Sequence, residues 1–120
     1  GIPSSFLRAT AKLAAPYLHA PMVIVNTGKG LEAGTHYTMS QILQEELPHL
    51  PIVTITGPSH AEEVARNVPT TVVAASKDLQ AAEYVQKTMS SETLRLYRNS
   101  DIIGCGRCSE KYHCPECWYL

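Results

Sequence analysis

Lys29 stands between two glycines in Thr27-Gly28-Lys29-Gly30-Leu31-Glu32. An ammonium flanked by residues without side chains can bind a phosphate or polarise a hydroxyl or carbonyl oxygen, because the backbone there lets a ligand come close. A second turn, Gly57-Pro58-Ser59, follows the apolar stretch Pro51–Thr56. Gly57 has no side chain to obstruct a ligand, and Pro58 fixes its own backbone near φ of about −65°. Ser59 can cap the next helix or donate to a ligand oxygen. A strand–turn–helix junction of this kind presents free backbone N–H groups to an anion. Each turn also has a plain structural reading: a solvated turn lysine in one, a serine-capped helix start in the other. His60 reads as a helix-start residue. Glu62 and Glu63 suit a helix N-terminus electrostatically, and Arg66 reads as solvated.

Alternating strands and helices must position these turns. Phe6–Tyr17 carries apolar residues at helical spacing, with Ser4 or Ser5 as a candidate cap. Met22–Asn26 is a short β-branched run that leads directly into the Lys29 turn. Thr35–Leu47 reads as a second helix, stopped by Pro48 and Pro51. Ile52–Thr56 and Thr70–Ala75 read as buried strands, with a helix over Ala61–Asn67 between them. Leu79–Met89 reads as a helix capped by Ser76 or Asp78, and Leu94–Tyr97 as a last strand. Apolar strands alternating with helices predict an α/β fold built from parallel βαβ units. Ligands of parallel α/β sheets bind beyond the carboxyl ends of the strands, where Lys29 falls. Gly28-x-Gly30-x-x-x-Gly34 misses the G-x-G-x-x-G dinucleotide fingerprint by one residue, and we reject it.

Composition narrows the classes. A chain of 120 residues suits one small domain, and a net charge of −1 leaves no electrostatic footprint for nucleic acid or an anionic membrane. No apolar run approaches the roughly 20 residues that span a bilayer, and no signal peptide is visible. All four cysteines lie after Gly104. A cysteine-free body without an export signal predicts a cytoplasmic protein. A chain opening on Gly1 rather than methionine reads as a fragment or a processed product.

Taken together, IPS at Ile2–Ser4, NTGKGLEAGT at Asn26–Thr35, MSQILQEELP at Met39–Pro48, TGPSHAEEVARNVPTTVVAAS at Thr56–Ser76 and YRNSDIIG at Tyr97–Gly104 resemble the NAD(P)-dependent glycerol-3-phosphate dehydrogenases in order and spacing. The resemblance covers nearly all of residues 1–104. It implies part of a Rossmann-like, doubly wound parallel sheet lacking its first βαβ unit. It implies interconversion of glycerone phosphate and sn-glycerol 3-phosphate by hydride transfer with NAD or NADP, feeding glycerophospholipid synthesis. Lys29, Gly57 and Ser59 then fall on substrate-contacting positions, and Ala61, with Lys29, on cofactor-contacting ones. The resemblance leaves open a homodimer of the intact enzyme and the choice between NADH and NADPH. The family's fingerprint loop, its acid–base lysine and its helical substrate domain have no counterpart here, so the chain alone is expected to be inactive and only marginally folded.

Residues 105–120 break the pattern. Cys105-x2-Cys108-x5-Cys114-x2-Cys117 has the look of a four-cysteine zinc site. Its five-residue spacer is short beside the usual spacing of about 15–20. Written as degenerate codons and moved by one nucleotide, the same tail permits VGGAVKNIIALSAGI, which resembles the family's next segment with its catalytic lysine. The tail therefore reads as an out-of-frame extension, with zinc not expected. The alternative is a small zinc-binding interaction module on an α/β body. A metal assay separates the two.

Overall fold

A computed structural model describes residues 1–57 and 61–100. Helix α1 spans Ser4–Ala14 and runs into a 3-10 turn over Ala15–Tyr17. Strand β1 is Ile24–Asn26, α2 is Met39–Glu46, β2 is Ile52–Thr56, α3 is Ala61–Ala65, β3 is Thr70–Ala75, α4 is Leu79–Met89 and β4 is Leu94–Asn99. Strands β2 and β3 and helix α4 lie where the apolar runs and turn residues place them. Helix α1 is capped differently from the sequence expectation. Pro3 occupies the cap position without a side-chain hydrogen bond, and Ser4 and Ser5 are already helical.

Helix α2 begins four residues later than its hydrophobic pattern predicts. Gly34 at φ +91° and His36 at φ +58° turn the chain back first. Thr38 then starts the helix with a capping box: the Gln41 N–H donates to the Thr38 hydroxyl and the Thr38 N–H donates to the Gln41 side chain. Helix α4 is capped by Asp78, whose carboxylate accepts from the N–H groups of Gln80 and Ala81 at 3.0 and 3.2 Å. The other candidate, Ser76, is buried. It donates to the Ile52 carbonyl at 2.7 Å and so ties β3's end to β2.

The four strands form one sheet in the order β1-β2-β3-β4. The α/β class is as expected, with one departure. β1 pairs β2 and β3 pairs β4 in parallel, each joined by a helix, but β2 and β3 run antiparallel, with Thr54 opposite Ala75 and Thr56 opposite Val73. The cause is the length of α3. A parallel return must carry the chain back along the whole sheet, and a five-residue helix rises only about 7–8 Å. The chain instead re-enters the sheet at the end where β2 left it.

Alternation along β2 divides the core. Ile52 faces Leu7, Ala11, Met39, Ile42, Leu43 and Leu47 of the α1–α2 layer. Val53 faces Val72, Ala81, Val85 and Leu96 of the α4 layer. Ile42 and Val53 have no exposed surface, and burying such a side chain contributes roughly 1.5–3 kcal/mol. The sheet is thus covered on both faces, which leaves its strand ends free to carry the functional turns.

Candidate functional site

Because β1 and β2 are parallel neighbours, their carboxyl ends point the same way. Asn26 lies opposite Thr54, so Lys29 and Gly57 each sit three residues beyond one rung of the ladder. Adjacent strands lie about 4.8 Å apart. The fold therefore brings the lysine–glycine loop and the glycine turn to one edge of the molecule, as the alternation of strands and helices predicts.

The loop is held at its root by Asn26. This side chain is buried, and its Oδ1 accepts from the Gly28 N–H at 3.0 Å in an Asx turn. A Cβ on Gly28 would meet the Ile2 carbonyl at 3.3 Å and the Asn26 Oδ1 at 3.2 Å. Gly30, at φ +111°, packs over Ser4. Lys29 itself is exposed and forms no hydrogen bond or ion pair with the described residues. Its ammonium is left available to a ligand oxygen. Beyond it, Leu31 bridges Thr38, the Glu32 N–H donates to the Tyr37 carbonyl at 2.9 Å, and the His36 N–H donates to the Glu32 carbonyl at 3.0 Å.

The Glu32 side chain closes the loop. It accepts from Arg8 through two parallel bonds, Nε to Oε2 at 2.7 Å and Nη2 to Oε1 at 2.9 Å, and from the Thr35 hydroxyl at 2.7 Å. These bonds hold the Glu32 carboxyl down at about 2, with Arg8 the larger cause and Thr35 the next. Arg8 Nη1 also reaches Glu45 at 3.1 Å and Glu46 at 2.7 Å, and the three carboxylates keep its guanidinium charged well above the ordinary range.

Gly57 is extended at φ +152°, a region nearly closed to residues with side chains. A Cβ there would lie 3.0 Å from both the Thr71 carbonyl and the Val72 Cα. Gly57 is thus required by the close approach of β3, independently of any ligand. Ala61 opens α3 and is exposed. Helix α3, five residues long, is too short to act as an anion site by its N-terminus. Ser59 and the four cysteines Cys105, Cys108, Cys114 and Cys117 lie outside the described residues. Among the described residues, no cluster of three or more His, Cys, Asp or Glu side chains is arranged to hold a metal.

A cavity of about 380 Å³ opens elsewhere, between the outer edge of β1 and α4, lined by Met22, Val23, Val25, Tyr84 and Met89 among others. Its lining carries no charged side chain and does not suit a phosphate ester. The described residues also lack a strand–glycine loop–helix of the pyrophosphate-binding kind, because Gly28–Gly30 folds into an Asx turn and leads to a β-bridge. Asn26, Arg8 and Glu32 were not singled out by sequence reasoning. An asparagine closing a strand before Thr-Gly is a legible Asx signal, whereas Arg8 and Glu32 are 24 residues apart and carry none.

A two-faced α/β sheet with a lysine–glycine loop and a glycine turn at the carboxyl ends of adjacent parallel strands is a ligand-binding domain of the Rossmann-like class. Residues 1–82 match the family described as NAD-dependent glycerol-3-phosphate dehydrogenase N-terminus. The glycerol-3-phosphate dehydrogenase [NAD(P)+] of Desulfitobacterium hafniense (strain Y51) is 52% identical over 103 residues, covering 86% of this chain and 29% of the relative. That of Moorella thermoacetica is 50% identical over 104 residues, covering 86% and 30%. The crystal structure of glycerol-3-phosphate dehydrogenase from Coxiella burnetii superposes with a TM-score of 0.82 at 31% identity, over 90% of this chain and 33% of that one. The chain belongs to the NAD-dependent glycerol-3-phosphate dehydrogenase family and spans less than a third of the length of the curated relatives it matches.

Proposed function

We propose that this chain supplies the substrate side of a glycerol-3-phosphate dehydrogenase site, in which glycerone phosphate and sn-glycerol 3-phosphate are interconverted for phospholipid synthesis. The observation that carries this reading is Lys29, exposed and without a partner among the described residues, on a loop anchored at both ends beside the Gly57 turn. Bound NAD(P)H would supply the hydride to the substrate's second carbon. Lys29 holds the oxygen on that carbon and stabilises the negative charge that develops as the carbonyl is reduced. Gly57 and Ser59 line the substrate, and Ala61, with Lys29, faces the nicotinamide. The family resemblance extends over residues 1–104 as part of the NAD(P)-binding domain, with 105–120 as a separate tail. Turnover is assigned to the intact enzyme, because this chain spans less than a third of the length of its curated relatives.

Titration of the isotope-labelled chain with sn-glycerol 3-phosphate tests the reading. Amide shifts are expected at Gly28–Gly30, Gly57 and Ala61, and Lys29→Gln should abolish them. Shifts confined to other surfaces, or unchanged by Lys29→Gln, would contradict it, as would NADH oxidation with glycerone phosphate by the purified chain.

A further inference from the structure

We propose that Arg8 and Glu32 are the positioning pair of Lys29: their two-bond ion pair fixes the loop that presents the ammonium. The inference rests on the reading of Lys29 as a substrate-contacting residue and adds how it is held. Three contacts place the loop on the start of α1. Gly28 lies on the Ile2 carbonyl, Gly30 lies on Ser4, and Glu32 is gripped by Arg8 one turn further along the helix. Asn26 fixes the loop where it leaves β1, and Arg8 with Thr35 fixes it three residues after Lys29. A planar guanidinium sets both distance and angle of the carboxylate it grips, which a lysine in its place does not. Lys29 therefore sits on a short arc clamped at both ends, its own side chain unengaged by the described residues.

Arg8 also meets Glu45 and Glu46 at the carboxyl end of α2, where negative charge opposes the helix dipole. A purely structural arginine would serve only to neutralise that end and to join α1 to α2. The two roles separate by which carboxylate is removed. In the full 120-residue chain, amide hydrogen exchange and the ¹³C signal of dimethylated Lys29 are compared in the unsubstituted protein, Glu32→Gln, Glu46→Gln, Arg8→Lys and Arg8→Met.

Glu32→Gln is expected to speed exchange at Gly28, residue 32 and His36 by about tenfold or more. It should also move the Lys29 signal toward that of exposed Lys77, leaving Val72 and Leu96 protected. Glu46→Gln should leave the loop unchanged, and Arg8→Lys should fall between the unsubstituted chain and Arg8→Met. Equal effects of Glu32→Gln and Glu46→Gln, or an unmoved Lys29 signal in Glu32→Gln, would overturn the positioning role. A Lys29 signal that answers to Glu32→Gln but not to added sn-glycerol 3-phosphate would instead overturn the substrate reading, leaving the clamp in place.

Discussion

Gly57→Ala is expected to destabilise the fold by about 2–6 kcal/mol, from two separable causes. The backbone at φ +152° lies in a region that costs a residue with a side chain on the order of 1–3 kcal/mol. The new Cβ would also meet the Thr71 carbonyl and the Val72 Cα at 3.0 Å and the Val72 Cγ1 at 3.2 Å, all closer than ordinary contact. Two of those atoms are backbone of a paired strand and cannot step aside, so overpacking adds roughly 1–3 kcal/mol. Gly34→Ala separates the causes: its φ is +91° but nothing lies within 4 Å of its Cβ position. It keeps the backbone strain without the clash and is partly offset by alanine's lower unfolded-state entropy, for a net cost of about 1 kcal/mol. Urea denaturation followed by circular dichroism measures both. For a domain of this size the larger loss corresponds to a fall in Tm on the order of 15 °C. A Gly57→Ala midpoint equal to that of Gly34→Ala, or to that of the unsubstituted chain, would refute the argument that β3 dictates this glycine.

Three further outcomes follow from the geometry. Glu32 is held at about 2 in the folded chain against 4.5 ordinarily, so its stabilising effect is present above pH 4.5 and is lost as the pH falls toward 2; Glu32→Gln should flatten the acid limb of Tm against pH in that window, and an unchanged limb would contradict the pair. Asp78→Ala removes the carboxylate that accepts two N–H groups at the start of α4 and should cost about 1 kcal/mol by urea denaturation, with Asp78→Asn close to neutral. Among the described residues strand β1 pairs on one side only, beside exposed Met22, Tyr84 and Met89, so sedimentation velocity should show concentration-dependent association that Met22→Lys reduces; a strictly monomeric chain would count against it.

Local signals in the sequence carried much of the fold. The β-branched runs of β2 and β3 and the Asp78 cap marked their elements to the residue. Thr38 and Gln41 spelled a capping box that periodicity alone overran, because the helical spacing of apolar residues extends back across a turn set by Gly34 and His36. Strand direction was not legible at β2–β3, since it depends on how far a short helix can carry the chain. The lysine–glycine loop and the glycine turn were legible as a pair because parallel strands bring their carboxyl ends together. The reason for Gly57 was not: a close backbone approach by β3 and one by a ligand leave the same residue in the sequence. Arg8 and Glu32 meet only because α1 packs beside the loop, a tertiary fact with no local trace.

The most direct measurement grafts residues 1–100 in place of the matching segment of the Desulfitobacterium hafniense relative and follows NADH oxidation with glycerone phosphate. The graft is expected to turn over, and Lys29→Gln within it to lower kcat/KM by about a hundredfold or more while the fold is retained. A folded, active graft whose rate is unchanged by Lys29→Gln would contradict the assignment of Lys29 to the reacting oxygen.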